Sequence, residues 1–223
     1  MTREPGREQR GEEAGSPPPL RIRVLGRVLS EAVARVPGAW RLVRGPVRRF
    51  FAEAAPGWDE RVRPDESEHL APLVDATERL ALSPRRILDV GTGTGAGALW
   101  LAGRFEQAEV LGIDVVPEMI DRARAKAIDR VRFEVAEPSQ VASSDAPFDL
   151  IVHLNCPVLF DDVAAALDAD GTVLVVASHG PRTPFYTSHS ALRRGFRRAG
   201  LTVRGEGTAG AGTWFAATRV SGA

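Results

Sequence analysis

The chain has 223 residues, 43% hydrophobic and 26% charged, and its 29 basic and 29 acidic side chains cancel. That is an ordinary globular composition, and the length fits one domain with an N-terminal appendage better than two full domains. A single cysteine, Cys156, excludes an internal disulfide framework. There is no signal peptide and no apolar run near the ~18 to 20 residues of a spanning helix, so the expectation is a soluble, cytoplasmic protein.

The neutrality hides an uneven distribution. Residues 1–19 carry a net −1, are rich in Glu, Arg, Gly and Pro, and end in Ser16-Pro17-Pro18-Pro19. With almost nothing apolar to bury, they are expected to form a disordered tail. Residues 20–51 hold eight arginines against Glu31 alone, a net +7, which leaves −6 on residues 52–223. From Leu20, the residues Leu25, Val28, Leu29, Ala32, Val33 and Val36 recur at three- and four-residue steps and predict an amphipathic helix stopped by Pro37-Gly38. Trp40 to Phe51 carries further apolar and arginine residues around Gly45-Pro46, a pattern that predicts two broken helical turns. Residues 20–69 are thus expected to form a basic amphipathic arm or cap, with the main domain over 70–223.

The rest alternates helices with short β-rich runs. Leu70 to Leu82 is predicted as a helix, Arg86 to Val90 as a strand, Ala96 to Phe105 as a helix and Glu109 to Val115 as the second strand. Pro117 to Ala127 is helical with proline at its first turn. Strands follow at Val131 to Ala136 and Phe148 to Leu154, then a short helix over Asp161 to Leu167. Asp170-Gly171 is expected as a turn before the fifth strand, Thr172 to Ala177. Ser190 to Ala199 is the last helix, and Leu201 to Gly205 with Thr213 to Val220 predict a terminal antiparallel hairpin. Strands separated by helices imply an α/β fold, a mostly parallel seven-stranded sheet covered on both faces.

Ile87-Leu88-Asp89-Val90-Gly91-Thr92-Gly93-Thr94-Gly95 runs an apolar strand into three alternating glycines and then a helix. Such a turn lets a ligand approach the backbone without meeting a Cβ. Asp114, nineteen residues after Gly95, stands at the end of the second strand, where an acid can accept hydrogen bonds from ribose hydroxyls. Gly91-x-Gly93-x-x-Ala96 also satisfies the dinucleotide fingerprint, so a nicotinamide-dependent oxidoreductase is the enzymatic rival. Asp89 argues against it. At ~6 Å and an effective dielectric of ~20, its carboxylate is worth roughly 3 kcal/mol to a unit charge, favouring a sulfonium or ammonium and opposing a pyrophosphate.

The stretch from Ile87 to Gly95 resembles motif I of the class I S-adenosylmethionine-dependent methyltransferases. The resemblance extends over roughly Leu70 to Val220. It implies a Rossmann-like fold and S-adenosylmethionine as cofactor, with Asp89, Gly91, Thr92, Gly93 and Gly95 at its methionine end and Asp114 at the ribose. Val110-Leu111-Gly112-Ile113-Asp114 is similar to the ribose-binding strand end, with Val115, Val116 and Met119 near the adenine. Glu137, where the family usually has Asp, stands with Pro138 at the adenine amino group. Asp170-Gly171 stands where the family has Pro-Gly-Gly. A methyltransferase-like subunit that binds without turnover is the non-enzymatic alternative.

Methyl transfer draws much of its acceleration from alignment and requires no catalytic base unless the acceptor is a hydroxyl. His153 and Asn155, at the end of the fourth strand, are the candidates for a contact near the reacting methyl, and strand alternation places them on one face with Leu154 opposite. Asn155-Cys156-Pro157-Val158 half-matches the N-P-P-Y signature of amino-methylating nucleic-acid enzymes but lacks the second residue and the stacking tyrosine. His179 and His189 read as loop and capping residues, although Tyr186 and His189 could line the cleft, and His69 is a weaker candidate. Cys156 reads as a packing residue, and no His/Cys spacing implies a metal. The arm admits three readings: a cap whose apolar stripe packs over the cofactor cleft, adsorption to an anionic membrane surface, or nucleic-acid binding, against which the acidic body argues. The expected acceptor is a small molecule, and the expected state a monomer or homodimer.

Overall fold

The computed structural model of the chain describes residues 20–36, 38–142 and 146–219; the tail expected over 1–19 lies outside the described residues. Seven strands form one sheet: β1 (Arg86–Val90), β2 (Glu109–Asp114), β3 (Val131–Val135), β4 (Phe148–Leu154), β5 (Leu167–Ala177), β6 (Leu201–Ala209) and β7 (Gly212–Arg219). Their spatial order is β3-β2-β1-β4-β5-β7-β6. The first five are parallel, and the β6–β7 hairpin adds antiparallel through β7. The order reverses between β1 and β4, and ligands of open α/β sheets bind outside the carboxyl ends of strands at such a point.

Side-chain alternation along the strands builds two cores. One face sends Ile87, Val110, Leu150, Val152, Leu174 and Trp214 toward α4 (Ser67–Arg79), α5 (Ala96–Arg104) and α6 (Pro117–Arg124). The other sends Leu88, Ile113, Ile151, Val173, Val175 and Phe215 toward α8 (Phe160–Ala166) and α9 (His189–Arg198), where Phe196 stacks on Phe215 at 6.0 Å and meets Phe160 edge-on at 4.9 Å. A short helix, α7 (Pro138–Val141), follows β3 and is closed by a reciprocal cap between Glu137 and Gln140.

Three expectations change. The fifth strand begins at Leu167, and Asp170-Gly171 lies within it: Phe148 pairs with Leu167 but Leu150 with Thr172, so the register shift absorbs the extra residues. The hairpin strands extend to Ala209 and begin again at Gly212. The break at Gly45-Pro46 is absent, because α2 runs unbroken over Ala39–Ala54 through Pro46. An interior proline costs a helix ~3 kcal/mol. The helix nonetheless continues past it, with Trp40, Val47, Phe51 and Ala54 on the one face that borders the cavity described below.

The arm comprises α1 (Leu20–Arg35), α2 and α3 (Trp58–Val62). Its first helix does not pack as its apolar stripe predicts. Gly26, Ser30, Val33 and Ala34 face the body and are buried, while Leu25, Val28 and Val36 are exposed. The reason is steric: Gly26 lies so close to the Pro184 carbonyl that a Cβ there would collide with it, and only small side chains permit that approach. Polar contacts hold the seat, with Arg198 donating to the Ala34 carbonyl at 2.6 Å and the Ser188 hydroxyl donating to Glu31 at 3.1 Å.

Candidate active site

A cavity of about 490 Å³ opens at the carboxyl ends of β1, β2, β4 and β5, floored by the glycine turn and walled on one side by the arm. At its floor Gly91 has φ +66°, a left-handed conformation suited to glycine, and a Cβ there would fall 2.7 Å from the Cys156 Cβ. Gly95, also expected at the cofactor, does not line the cavity; it packs on Phe133, whose Cζ would lie 2.7 Å from an added Cβ.

Asp89 lies at the carboxyl end of β1, lines the cavity and is buried. Its Oδ2 accepts a 2.6 Å hydrogen bond from the Thr92 hydroxyl, and its Oδ1 is buried with no partner among the described residues. Burial pushes its pKa up to about 7 despite the Thr92 hydroxyl and the Ala98 backbone N–H, with the Asp114 charge adding to the rise. A carboxylate in this state attracts a cation, which would hold it ionised. Asp114 ends β2 and is held rigid by two backbone donors: Gly93 N–H to Oδ2 and Val116 N–H to Oδ1, each 3.0 Å. Burial also raises its pKa. Each carboxylate oxygen retains a lone pair for a ligand. Val115, Val116, Met119 and Pro138 continue the cavity wall beyond it.

Glu137 departs from its expected place. Its Oε1 accepts from Arg44 at 2.7 Å, its carboxylate also caps α7, and it does not line the cavity. His153 departs as well. It stands in β4 facing the α8–α9 core, fully buried, with Nδ1 3.2 Å from the Pro157 carbonyl oxygen, and burial lowers its pKa to about 4. The alternation that would have carried Asn155 to the same face ends with the strand at Leu154, and Asn155 takes φ +58°. That left-handed turn brings Leu154 and Asn155 to the cavity together and leaves His153 behind.

Asn155 is fixed on three sides. Its Oδ1 accepts the Ser178 N–H at 2.8 Å, and its Nδ2 donates to the Ser178 hydroxyl at 2.9 Å and stands 2.9 Å from His69 Nε2. The amide orientation set by Ser178 makes Nδ2 the donor, so His69 Nε2 accepts and its proton sits on Nδ1. Burial lowers the His69 pKa to about 4, with a further push from His179, so the ring is neutral. His179 meets His69 edge-on at 5.9 Å, and both line the cavity. No ring nitrogen of His179 has a hydrogen-bond partner among the described residues, and burial lowers its pKa. These two histidines, from α4 and the segment after β5, were the site residues that sequence reasoning undervalued, because 110 positions separate them and no spacing marks the pair. Tyr186 and His189 do not line the cavity. Cys156 does, but its thiol donates to the Val90 carbonyl at 3.0 Å, and burial raises its pKa well above the ordinary value, which leaves it a packing residue.

The arm's wall is aromatic. Phe51 sits 5.2 Å from Phe50, 5.5 Å from Trp58 and 5.7 Å from Phe185, ring centre to ring centre. Phe51 and Trp58 also pack with Val115 and Met119. Asp59 ties the wall to the floor: Oδ1 accepts from the Thr94 hydroxyl and Oδ2 from Lys126 Nζ at 2.8 Å. Burial pushes the Asp59 pKa up, but these two bonds outweigh it and the net shift is downward. Among the described residues no cluster of His, Cys, Asp and Glu could hold a metal ion, and no helix is long and apolar enough to cross a membrane.

A family model described as a methyltransferase domain matches residues 87–174. The demethylmenaquinone methyltransferase of Deinococcus radiodurans is 41% identical over 110 residues, 47% of this chain and 46% of that protein. The malonyl-[acyl-carrier protein] O-methyltransferase of Halorhodospira halophila is 31% identical over 145 residues, 61% of this chain and 49% of that protein. The chain therefore spans about half the length of these relatives. Among solved structures, a SAM-dependent methyltransferase from Aquifex aeolicus superimposes with a TM-score of 0.60 at 19% identity, over 76% of this chain and 98% of that one, a likeness of fold.

Proposed function

We propose that the chain is a class I methyltransferase that transfers a methyl group from S-adenosylmethionine to a small apolar acceptor, with residues 70–223 as the catalytic domain and 20–69 as its cap, a reading supported by the methyltransferase-domain match over residues 87–174. The observation that carries this reading is the unpartnered, buried Oδ1 of Asp89 beside the glycine turn. A buried carboxylate oxygen without a donor is costly unless a cation or hydrogen-bond donor completes it, and the methionine end of this cofactor offers both. The chemistry the cofactor supplies is an electrophilic methyl on a sulfonium.

The remaining residues fit the same molecule. Gly93, where an added Cβ would meet nothing within 4 Å, leaves the floor open to a close approach, Asp114 is held where it can accept from ribose hydroxyls, and Val115, Val116, Met119 and Pro138 offer an apolar berth for a flat ring. Glu137 is spent on Arg44 and the α7 cap, so the ring is selected by shape rather than by that carboxylate. Trp40, Val47, Phe51 and Phe185 face the remaining space and favour an uncharged, largely apolar acceptor. Asn155, fixed by Ser178 and His69, positions the acceptor. His179, with its ring nitrogens free, takes the proton if the reacting atom is a hydroxyl oxygen.

Calorimetric titration with S-adenosylhomocysteine tests the reading. The wild type is expected to bind, and Asp89→Ala and Asp114→Ala each to weaken binding at least tenfold, about 1.4 kcal/mol or more. Unchanged affinity in both variants, or preference for NADH over S-adenosylhomocysteine, overturns it. Transfer of labelled methyl from the cofactor into fractionated cell extract would then identify the acceptor.

A further inference from the structure

We propose that the outer face of the arm is a docking surface for an anionic lipid bilayer. The fold turns part of the arm's apolar surface away from the protein. The seat of α1 on the body uses its small residues Gly26, Ser30, Val33 and Ala34, so the opposite side of the helix presents Val24 at 52% exposure, Leu25 at 65% and Val28 at 62%. On α2 the cavity takes Trp40, Val47, Phe51 and Ala54, and the far side presents Leu42 at 83%. Phe50, 45% exposed, stands at the cavity's edge. Away from the arm, only Ile128 and Val135 are large apolar residues this exposed among the described residues. Single exposed apolar side chains are ordinary, but this concentration within one short segment is not.

Charge selects the occupant. Residues 20–51 carry a net +7, while residues 52–223 carry −6. Among the described side chains of the segment, Arg44 pairs with Glu137 and Arg35 with Glu31, whereas Arg48 and Arg49 are exposed and make no ion pair. Exposed aliphatic residues interleaved with arginines on helices not long and apolar enough to span a membrane fit the headgroup boundary, where the apolar side chains insert and the guanidiniums meet lipid phosphates. A second copy docking arm to arm would set one +7 segment against another. Nucleic acid would satisfy the arginines but leave Leu25, Val28 and Leu42 in water.

Co-sedimentation with vesicles of phosphatidylcholine alone, or with about a third phosphatidylglycerol, tests this. The full chain is expected to bind the anionic vesicles at least tenfold more tightly than the neutral ones, and raised salt should weaken that binding as the arginine contribution is screened. The double substitution Leu25→Glu with Val28→Glu should lose at least tenfold in vesicle affinity while its S-adenosylhomocysteine affinity and thermal midpoint are unchanged. Arg48→Gln with Arg49→Gln, which leaves the apolar face intact, should reduce the preference for anionic lipid several-fold. Equal or absent binding to both vesicles overturns the proposal. So does lipid binding that the glutamate pair does not affect, or a dimer in lipid-free solution that the same pair dissociates. A chain that binds single-stranded RNA more tightly than the anionic vesicles also overturns it, whichever way the cofactor titration falls.

Discussion

The body and the arm are held by different forces. In the body, Ile87, Leu88, Leu150, Ile151 and Leu174 are covered, and β1, β2, β4, β5 and β7 each contribute to cores on both faces of the sheet. In the arm, α2 has no buried residue at all, and apart from half-buried Val43 its larger apolar side chains either border the cavity or face solvent. Fixed polar links compensate: Asp59 to Thr94 and Lys126, Arg44 to Glu137, Arg198 to the Ala34 carbonyl. Such bonds give direction but little net free energy, so the body sets the stability and the arm sets the shape of the site. Filling the cavity is what turns the half-covered faces of Trp40, Val47 and Phe51 into buried ones, and ligand binding should therefore order the arm more than the sheet.

Substitutions can break that contrast or sharpen it. The largest effect is expected at Phe196, covered by Phe160 and Phe215: Phe196→Ala should cost about 3 to 5 kcal/mol in a denaturant melt. A loss below about 1 kcal/mol would mean that the body is no better packed than the arm.

Next comes the response to pH. Folded Asp89 keeps its proton up to about pH 7, while the unfolded side chain ionises near 3.8, so between those values the folded state binds more protons and stability falls as pH rises. His69 and His153 act in the opposite sense. Each titrates near pH 4 when folded and 6.5 when unfolded, so stability rises across that window. Asp89→Asn removes the opposing contribution, and the rise between pH 4 and 6.5 should steepen by about 1.4 kcal/mol per pH unit. Identical slopes for the wild type and the variant would place Asp89 outside this balance.

A smaller effect belongs to the arm's fastening. Asp59→Ala removes both the Thr94 and Lys126 contacts, and should speed proteolytic cleavage within residues 36–66 about fivefold without moving the main unfolding transition, since ~1 kcal/mol of local opening is at stake. A shift of the main transition would show arm and body unfolding together. Smallest of all, Leu42→Ser on the outer face should change global stability by less than about 0.5 kcal/mol.

The sheet was legible in the sequence because its period-two strands, glycine turn and helix starts are local signals: β1 and β4 begin and end where the pattern puts them. The floor of the site was legible for the same reason, since Asp89, Gly91, Gly93 and Asp114 are fixed by their position at strand ends. What was not legible depended on where a pattern stops or on what packs against it. Alternation implied that His153 and Asn155 share a face, but the strand ends one residue before Asn155, and one left-handed residue undoes the inference. The stripe of α1 implied that Leu25 and Val28 are inside, but the close approach at Pro184 favoured the small-residue face instead. The pairing of His69 with Asn155 bridges 86 positions, and no local pattern encodes it.

The place of β7 in the sheet bears on how the chain is made. Last in chain order among the described strands, β7 pairs β5 on one side and β6 on the other. Until Gly212–Arg219 has been synthesised, β5 therefore has an open edge, with Val173, Leu174 and Val175 ready to pair with any extended segment. A nascent chain stalled short of this strand carries nearly all of the site, yet it also exposes a template for aggregation. Its solubility during synthesis depends on how quickly the hairpin closes about the left-handed turn at Gly210 once Arg219 has been added.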